Sequence, residues 1–173
     1  MPNRTEEMAS KAMGAMKAAK ATIEGLSGIF KHLAREHGEV TALLMRVKMS
    51  SDGAVRRDLF PKIRSELLSH ERGELREVYP VFRQHAELRT IADNHDREAG
   101  QLEQMLDDLN ATSYDDSAWA SKFGKLVDLV SHHAKEEEND FFPAASKVIG
   151  KDEAEQMKTR YETTKAELMQ SIS

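Results

Sequence analysis

An all-α fold is what this sequence predicts: an up-down-up-down four-helix bundle with additional N- and C-terminal helices. Three observations carry that expectation. Apolar residues recur at helical spacing over four long segments. Short polar loops separate those segments, so successive helices should run antiparallel. No stretch alternates with period two for long enough to read as a strand series. At 173 residues the chain should form one domain over 1–173, with its core over about 22–148.

Residues 4–20, rich in Ala, Met and Lys, predict a short helix of modest amphipathicity. The first bundle helix should run from about Thr22 to Met49, with Leu26, Ile29, Phe30, Leu33, His37, Val40, Leu44 and Val47 on one stripe. Ser50-Ser51-Asp52-Gly53 ends it. The second should run from about Ala54 to Ala86 through Ile63, Leu67, His70, Glu74 and Val78. Pro80 lacks a backbone donor and should kink or stop it near its end. The third should run from about Glu87 to Leu109 through Leu88, Ile91, His95, Leu102 and Met105. Asp115, Asp116 or Ser117 can cap the fourth, from about Ala118 to Val148 through Trp119, Phe123, Leu126, Val130, His133, Glu137 and Phe141. A final helix over 152–172 comes after Gly150, with Asp152 as its cap.

Composition narrows the function. Apolar residues make up 39% and charged residues 32%, as in an amphipathic-helix protein rather than a disordered one. No apolar run approaches the roughly 20 residues that span a bilayer. The start, MPNRTEEMASKAMG, lacks an apolar stretch of the secretory kind, so a cytoplasmic location is the default and no membrane partner is expected. With no Cys, disulfides, thiolate ligands and iron–sulfur clusters are excluded. A net charge of −5 argues against nucleic acid as a partner.

One motif occurs twice. His70 to Pro80 and His133 to Pro143 both read His, Glu four residues on, then an aromatic residue and Pro. An i, i+4 pair lies on one helical face, so each copy points an imidazole and a carboxylate at one spot. His37 and His95 fall inside the stripes of the other two bundle helices. Each bundle helix thus places one His on its buried face near mid-length, a heavy desolvation burden unless a metal takes them up. His132 is a quarter-turn off the stripe, so His133 is the better ligand. His32, off its stripe, and His85, near a helix end, are expected to be surface or satisfied core histidines rather than ligands. Glu71, Glu77, Glu136, Glu138 and Asp140 are expected to be surface charges, while Glu74 and Glu137 occupy the inward position of each copy. A carboxylate bridging two ions is compensated for its burial. Four imidazoles and two bridging carboxylates give each of two metals two nitrogens and two oxygens. Such a set suits iron or manganese, with zinc as a substitute.

With His37, His70-x3-Glu74, Tyr79-Pro80, His95, His133-x3-Glu137 and Phe142-Pro143, the chain resembles the hemerythrin-like (HHE cation-binding) family over about 25–148. The resemblance implies a four-helix bundle holding two iron ions bridged by two Glu and an oxo or hydroxo group. It also implies a small-molecule ligand: dioxygen, nitric oxide or hydrogen peroxide. Oxygen carriers of the family place a fifth His one turn after the third-helix His, where this chain has Ala99. One iron should therefore gain an open or water-filled position, with Glu98 the nearby carboxylate. The chain also resembles the iron–sulfur-repair branch in its ligand set, but lacks that branch's Cys pair.

Three functions stay open on the sequence. The first is a di-iron protein that binds, senses or decomposes a small oxidant, with catalase-like or nitric-oxide-reactive turnover as its enzymatic form. The second is a non-enzymatic iron-binding, sensing or storage module. The third is an interaction bundle with a structural metal, whose Ala/Met-rich residues 8–19 dock a partner. Either a monomer or a homodimer suits all three.

Overall fold

The computed structural model describes residues 4–172, leaving both tips of the expected 1–173 domain, including the first residues of MPNRTEEMASKAMG, outside the described residues. Its elements are α1 (Arg4–Ile23), α2 (Gly28–Lys48), α3 (Gly53–Glu77), the single-turn α4 (Tyr79–Phe82), a 3-10 turn (Ala86–Leu88), α5 (Arg89–Ala111), α6 (Ser117–Glu136), a π-helical turn (Glu137–Phe141), the single-turn α7 (Phe142–Ala145) and α8 (Lys151–Ile172). No strand occurs among the described residues, and none of the helices is long and apolar enough to cross a membrane.

Three boundaries depart from the sequence expectation. Thr22 belongs to α1, because the turn that separates α1 from α2 falls later, at Gly25 (φ 81°) and Gly28 (φ 55°). Both glycines take left-handed angles that other residues adopt at a cost. The second bundle helix stops at Glu77 rather than about Ala86, at a break on Val78 (φ −104°, ψ −60°) just ahead of Pro80. The fourth leaves α-geometry at Glu137, and its last turn, α7, ends at Ala145. A π-turn inserts extra backbone per turn and shifts the helical phase of the residues beyond it. Consequently Phe142, and not Phe141, is fully buried. Where capping chemistry is clear the expectation stands: the Asp116 carboxylate accepts the Ala118 N–H at 2.8 Å, and Asp52 does the same for Ala54.

The packing closes a ring. α2 lies on α3, α3 on α5, α5 on α6 and α6 on α2. Outside the ring, α1 packs along α2, and α8 covers α2 and α3. The α1–α2 contact is close because it is built on two glycines: a Cβ on Gly38 would lie 2.5 Å from the Met13 carbonyl oxygen and 2.8 Å from the Gly14 Cα. Two apolar clusters fill the interior. One gathers Phe30, Leu33, Tyr79, Phe82, Phe142 and Tyr161 among others; the second gathers Val40, Leu44, Phe60, Leu67, Leu106, Trp119 and Leu126. Between them sits a layer of buried polar groups: His37, His70, Glu71, Glu74, His95, His133 and Glu137.

Candidate metal centre

All six residues singled out from the sequence converge in that layer. Together with Glu71 they form two groups, within each of which the donor atoms lie within 4.8 Å of one another: His37, His70, Glu74 and Glu137 in the first, and Glu71, Glu74, His95 and His133 in the second. Each arises from an inward helical position. α2 contributes His37, α3 His70, Glu71 and Glu74, α5 His95, and α6 with its π-turn His133 and Glu137.

Both repeat carboxylates straddle the groups. Glu137 Oε2 is 3.1 Å from Nε2 of His37, and its Oε1 is 3.5 Å from Nε2 of His133. Glu74 Oε1 is 3.5 Å from Nε2 of His70, and its Oε2 is 4.0 Å from Nε2 of His95. In the first group the Nε2 atoms of His37 and His70 approach to 3.2 Å. Neighbouring ligands around one ion at about 2.1 Å stand roughly 3 Å apart, so this spacing suits a shared cation.

The outer sides of the imidazoles are fixed by carboxylates. His37 Nδ1 donates to Glu138 Oε1 at 2.9 Å, His70 Nδ1 to Glu36 Oε2 at 2.8 Å, and His133 Nδ1 to Glu98 Oε2 at 3.0 Å. Such partners set the tautomer so that Nε2 faces inward as a ligand. Aromatic faces hold two rings: Tyr79 stacks on His95 with centroids 3.5 Å apart, and Phe142 lies parallel to His37. The Tyr79 hydroxyl donates to Glu137 Oε1 at 2.6 Å.

Many donor atoms of the layer, by contrast, lack hydrogen-bond partners. Glu71 Oε1, both Glu74 oxygens, both His95 nitrogens, His133 Nε2 and Glu137 Oε2 are buried without a hydrogen bond among the described residues. The 2.7 Å approach of His95 Nε2 to Glu71 Oε1 is among these, close but not aligned as a hydrogen bond. Buried polar groups are ordinarily satisfied. So many orphans aimed at one place fit a missing cation, and the mixed imidazole and carboxylate donors suit iron, manganese or zinc. The charges agree. Burial, together with the charges of Glu137 and Glu71, pushes the Glu74 carboxyl well above its ordinary range. Burial opposes ionisation of His133, but Glu137, Glu98 and Glu71 outweigh it and raise the imidazole to about 10. The protein alone thus retains protons where a metal would supply positive charge.

Three expectations are corrected here. Glu71 is no surface charge: it is 5% exposed and belongs to the second group. It comes directly after His70 and lies one turn before Glu74, an i, i+3 relation that keeps it near the inward face. The position opposite Ala99 is therefore not simply open, because Glu71 reaches His95 from α3, while Glu98 turns outward to His133. Glu138 is likewise drawn in, because the π-turn aims it at His37. His32 takes the core alternative of its expectation: it is buried and held between Glu36 at 3.1 Å and Glu162 at 3.3 Å, where α8 covers that side of α2. His132 remains exposed and paired with Glu136, and His85 lies outside the cluster. Glu36, four residues after the off-stripe His32, joins the site through His70 of α3 and is held there by Tyr161 and Lys165 of α8.

A cavity of about 80 Å³ reaches the layer. Val40, Leu43, Leu67, Leu102 and Val130 form an apolar wall, and His37, His70, Glu71 and His133 line its polar side.

Comparison with known proteins places these residues. A sequence model of the hemerythrin HHE cation binding domain matches residues 28–145, which hold every member of both groups. A curated relative from Nostoc sp. (strain PCC 7120 / SAG 25.82 / UTEX 2576), described as a DNA nickase, is 23% identical over 137 residues, 79% of this chain and 39% of its own length. The chain thus spans about two-fifths of that relative. No solved structure matches significantly.

Proposed function

The chain belongs to the hemerythrin HHE cation-binding family, and from that premise we propose that it is a non-haem di-iron protein acting on a small oxidant. His37, His70, Glu74 and Glu137 would hold one ion and Glu71, Glu74, His95 and His133 the other, with Glu137 also within 3.5 Å of His133. The observation that carries this is the set of orphaned, buried donor atoms gathered on one spot. When bound, the iron pair supplies redox equivalents and a position for dioxygen, nitric oxide or hydrogen peroxide. The ring of α2, α3, α5 and α6 is read as the up-down-up-down four-helix bundle of one domain, in a cytoplasmic protein.

The chain's own residues do the rest. Glu138, Glu36 and Glu98 orient three imidazoles, and Tyr79 fixes Glu137 by its hydroxyl proton. The apolar clusters on either side exclude bulk water, which strengthens every charge interaction within the layer. The cavity of about 80 Å³ suits a molecule of two to four atoms and favours the oxidant reading over iron storage alone. The relative's activity on DNA is not carried over: most of its length lies outside the match, and a net charge of −5 is the wrong sign for a phosphate backbone.

The test is metal analysis and spectroscopy of iron-reconstituted protein, with assays of peroxide consumption and nitric oxide binding. Two irons per chain, near-ultraviolet bands of a coupled ferric pair and reaction with either molecule are expected. One iron or none overturns the dinuclear reading. Two irons without reaction leave a metal-binding module in its place.

A further inference from the structure

We infer that the C-terminal helix α8, which lies outside the matched family span, is part of the metal centre and serves one ion selectively, through Tyr161 and Lys165. The inference rests on the dinuclear reading above. Tyr161 is fully buried. Its hydroxyl donates to Glu36 Oε2 at 2.7 Å and lies 3.0 Å from Nδ1 of His70. Lys165 Nζ reaches the same Glu36 oxygen at 2.8 Å and Glu66 at 3.2 Å. His70 Nδ1 is the third donor on that oxygen, at 2.8 Å. Three donors on one carboxylate oxygen hold Glu36 ionised and still, and Glu36 in turn sets the direction of the His70 ring.

The fold makes room for this arrangement. In α3, a Cβ on Gly73 would sit 2.7 Å from Cε2 of Tyr161, so only glycine lets the ring lie against the helix. A glycine within a helix is less favourable than Ala, and this one admits the tyrosine. At the other end of the contact, Gly28 takes φ 55° with the Ala154 backbone pressed against it. A helix that only covered apolar surface would need neither a buried ammonium nor a buried phenol hydroxyl aimed at a carboxylate.

The selectivity comes from where the contacts end. Among the described residues, every hydrogen bond from α8 to the ligands or to the carboxylates behind them stops at Glu36 or His70. His133, in the other group, depends instead on Glu98 of α5. Tyr161 and Lys165 are positioning residues for the site of His37 and His70, and Glu98 is the counterpart for the site of His95 and His133.

The test titrates the metal-free full chain with cobalt(II) alone and follows visible absorbance, alongside thermal unfolding of the metal-free protein. Wild type should take two equivalents. Tyr161→Phe and Lys165→Met should each weaken one equivalent by about 10–100-fold and leave the other unchanged, the usual effect of losing a group behind a ligand. Glu98→Gln should weaken one equivalent as well, and the Tyr161→Phe, Glu98→Gln double variant should weaken both, because the two act on different sites. If the single variants keep both equivalents at wild-type affinity, or the double variant weakens only one, the inference falls. Equal weakening of both sites in Tyr161→Phe, with a lowered melting temperature, would make α8 a structural cover only. A wild type that binds fewer than two ions would instead sink the dinuclear reading itself.

Discussion

Replacing Glu71 by Gln keeps the side chain's size and removes one charge from one half of the metal layer. Glu71 is 5% exposed, with Oε1 2.7 Å from Nε2 of His95 and Oε2 4.0 Å from Nε2 of His133. It belongs to the second group alone, so the damage should fall on one ion. Breaking one member out of a buried charge set costs about 3–5 kcal/mol. At 1.4 kcal/mol per decade that is on the order of 10² to 10⁴ in affinity for the second equivalent. The metal-free protein should respond little, because Glu71 repels Glu74 but also supports the proton on His133. Metal-free Glu71→Gln should therefore melt close to wild type, while its gain on adding metal shrinks. The assay is a competition titration with zinc and a chelator, with melting curves with and without metal. Two equivalents at wild-type affinity would show that Glu71 is no ligand. A large loss of metal-free stability would show that its role is structural.

Three further outcomes are expected. A cavity of about 200 Å³ lies between Glu71, Ala99, Leu68 and Leu102, so Ala99→His combined with Glu71→Ala should recover the metal lost in Glu71→Ala alone; equal metal content in the single and double variants would refute it. Metal affinity should rise with pH. His133 titrates near 10 in the metal-free fold against about 6.5 unfolded, so its stabilisation is complete below about 6.5 and is lost as pH rises through about 10. Metal binding must displace that proton, and the raised carboxyl of Glu74 acts in the same direction. Melting of metal-free and metal-loaded protein across that window checks the sign, and a gap that narrows with rising pH would contradict it. Finally, Gly38→Ala drives a methyl into the Met13 carbonyl and the Gly14 backbone and should cost about 1–3 kcal/mol; unchanged urea unfolding would mean that α1 shifts freely on α2.

Six residues of the buried polar layer were legible in the sequence because they obey helical periodicity. His37, His70, Glu74, His95, His133 and Glu137 all lie on apolar stripes, and a polar residue on such a stripe is conspicuous. The residues that escaped did so for different causes. Glu71 is adjacent to a stripe rather than on it, and only the close approach of α5 turns it inward. Glu138 depends on the π-turn, which no α-helical period predicts. Glu36 and His32 are buried by α8, about 125 residues away in sequence, and nothing local announces that contact. The helix ends slipped where Val78 breaks ahead of Pro80 and where a glycine-built turn cut the expected first helix.

The two copies of the motif are alike in their ligands and unlike around them, and this makes the halves of the site inequivalent. Glu71 in the first copy corresponds to Ala134 in the second, and Tyr79 corresponds to Phe142. Tyr79 donates to Glu137, so that bridging carboxylate has one oxygen held by a neutral donor. Phe142 has no hydroxyl to offer Glu74, and both Glu74 oxygens stay without a hydrogen bond. Glu71 adds a second inward carboxylate to Glu74 in the group of His95 and His133, whereas the further carboxylates beside His37 and His70, Glu138 and Glu36, stand on the outer Nδ1 side of the rings. On the other side, α8 steadies His70 through Glu36, while His95 Nδ1 is left without any partner. One group therefore has a carboxylate on its inward side where the other has orienting hydrogen bonds behind its imidazoles. Oxygen-rich ligation favours the more highly charged state of an ion, and a firmly held imidazole favours a fixed geometry. A symmetric duplication would have built two interchangeable positions. Two substitutions and one added helix give each group of buried donors its own electrostatic character, so the proposed pair of ions would occupy inequivalent positions.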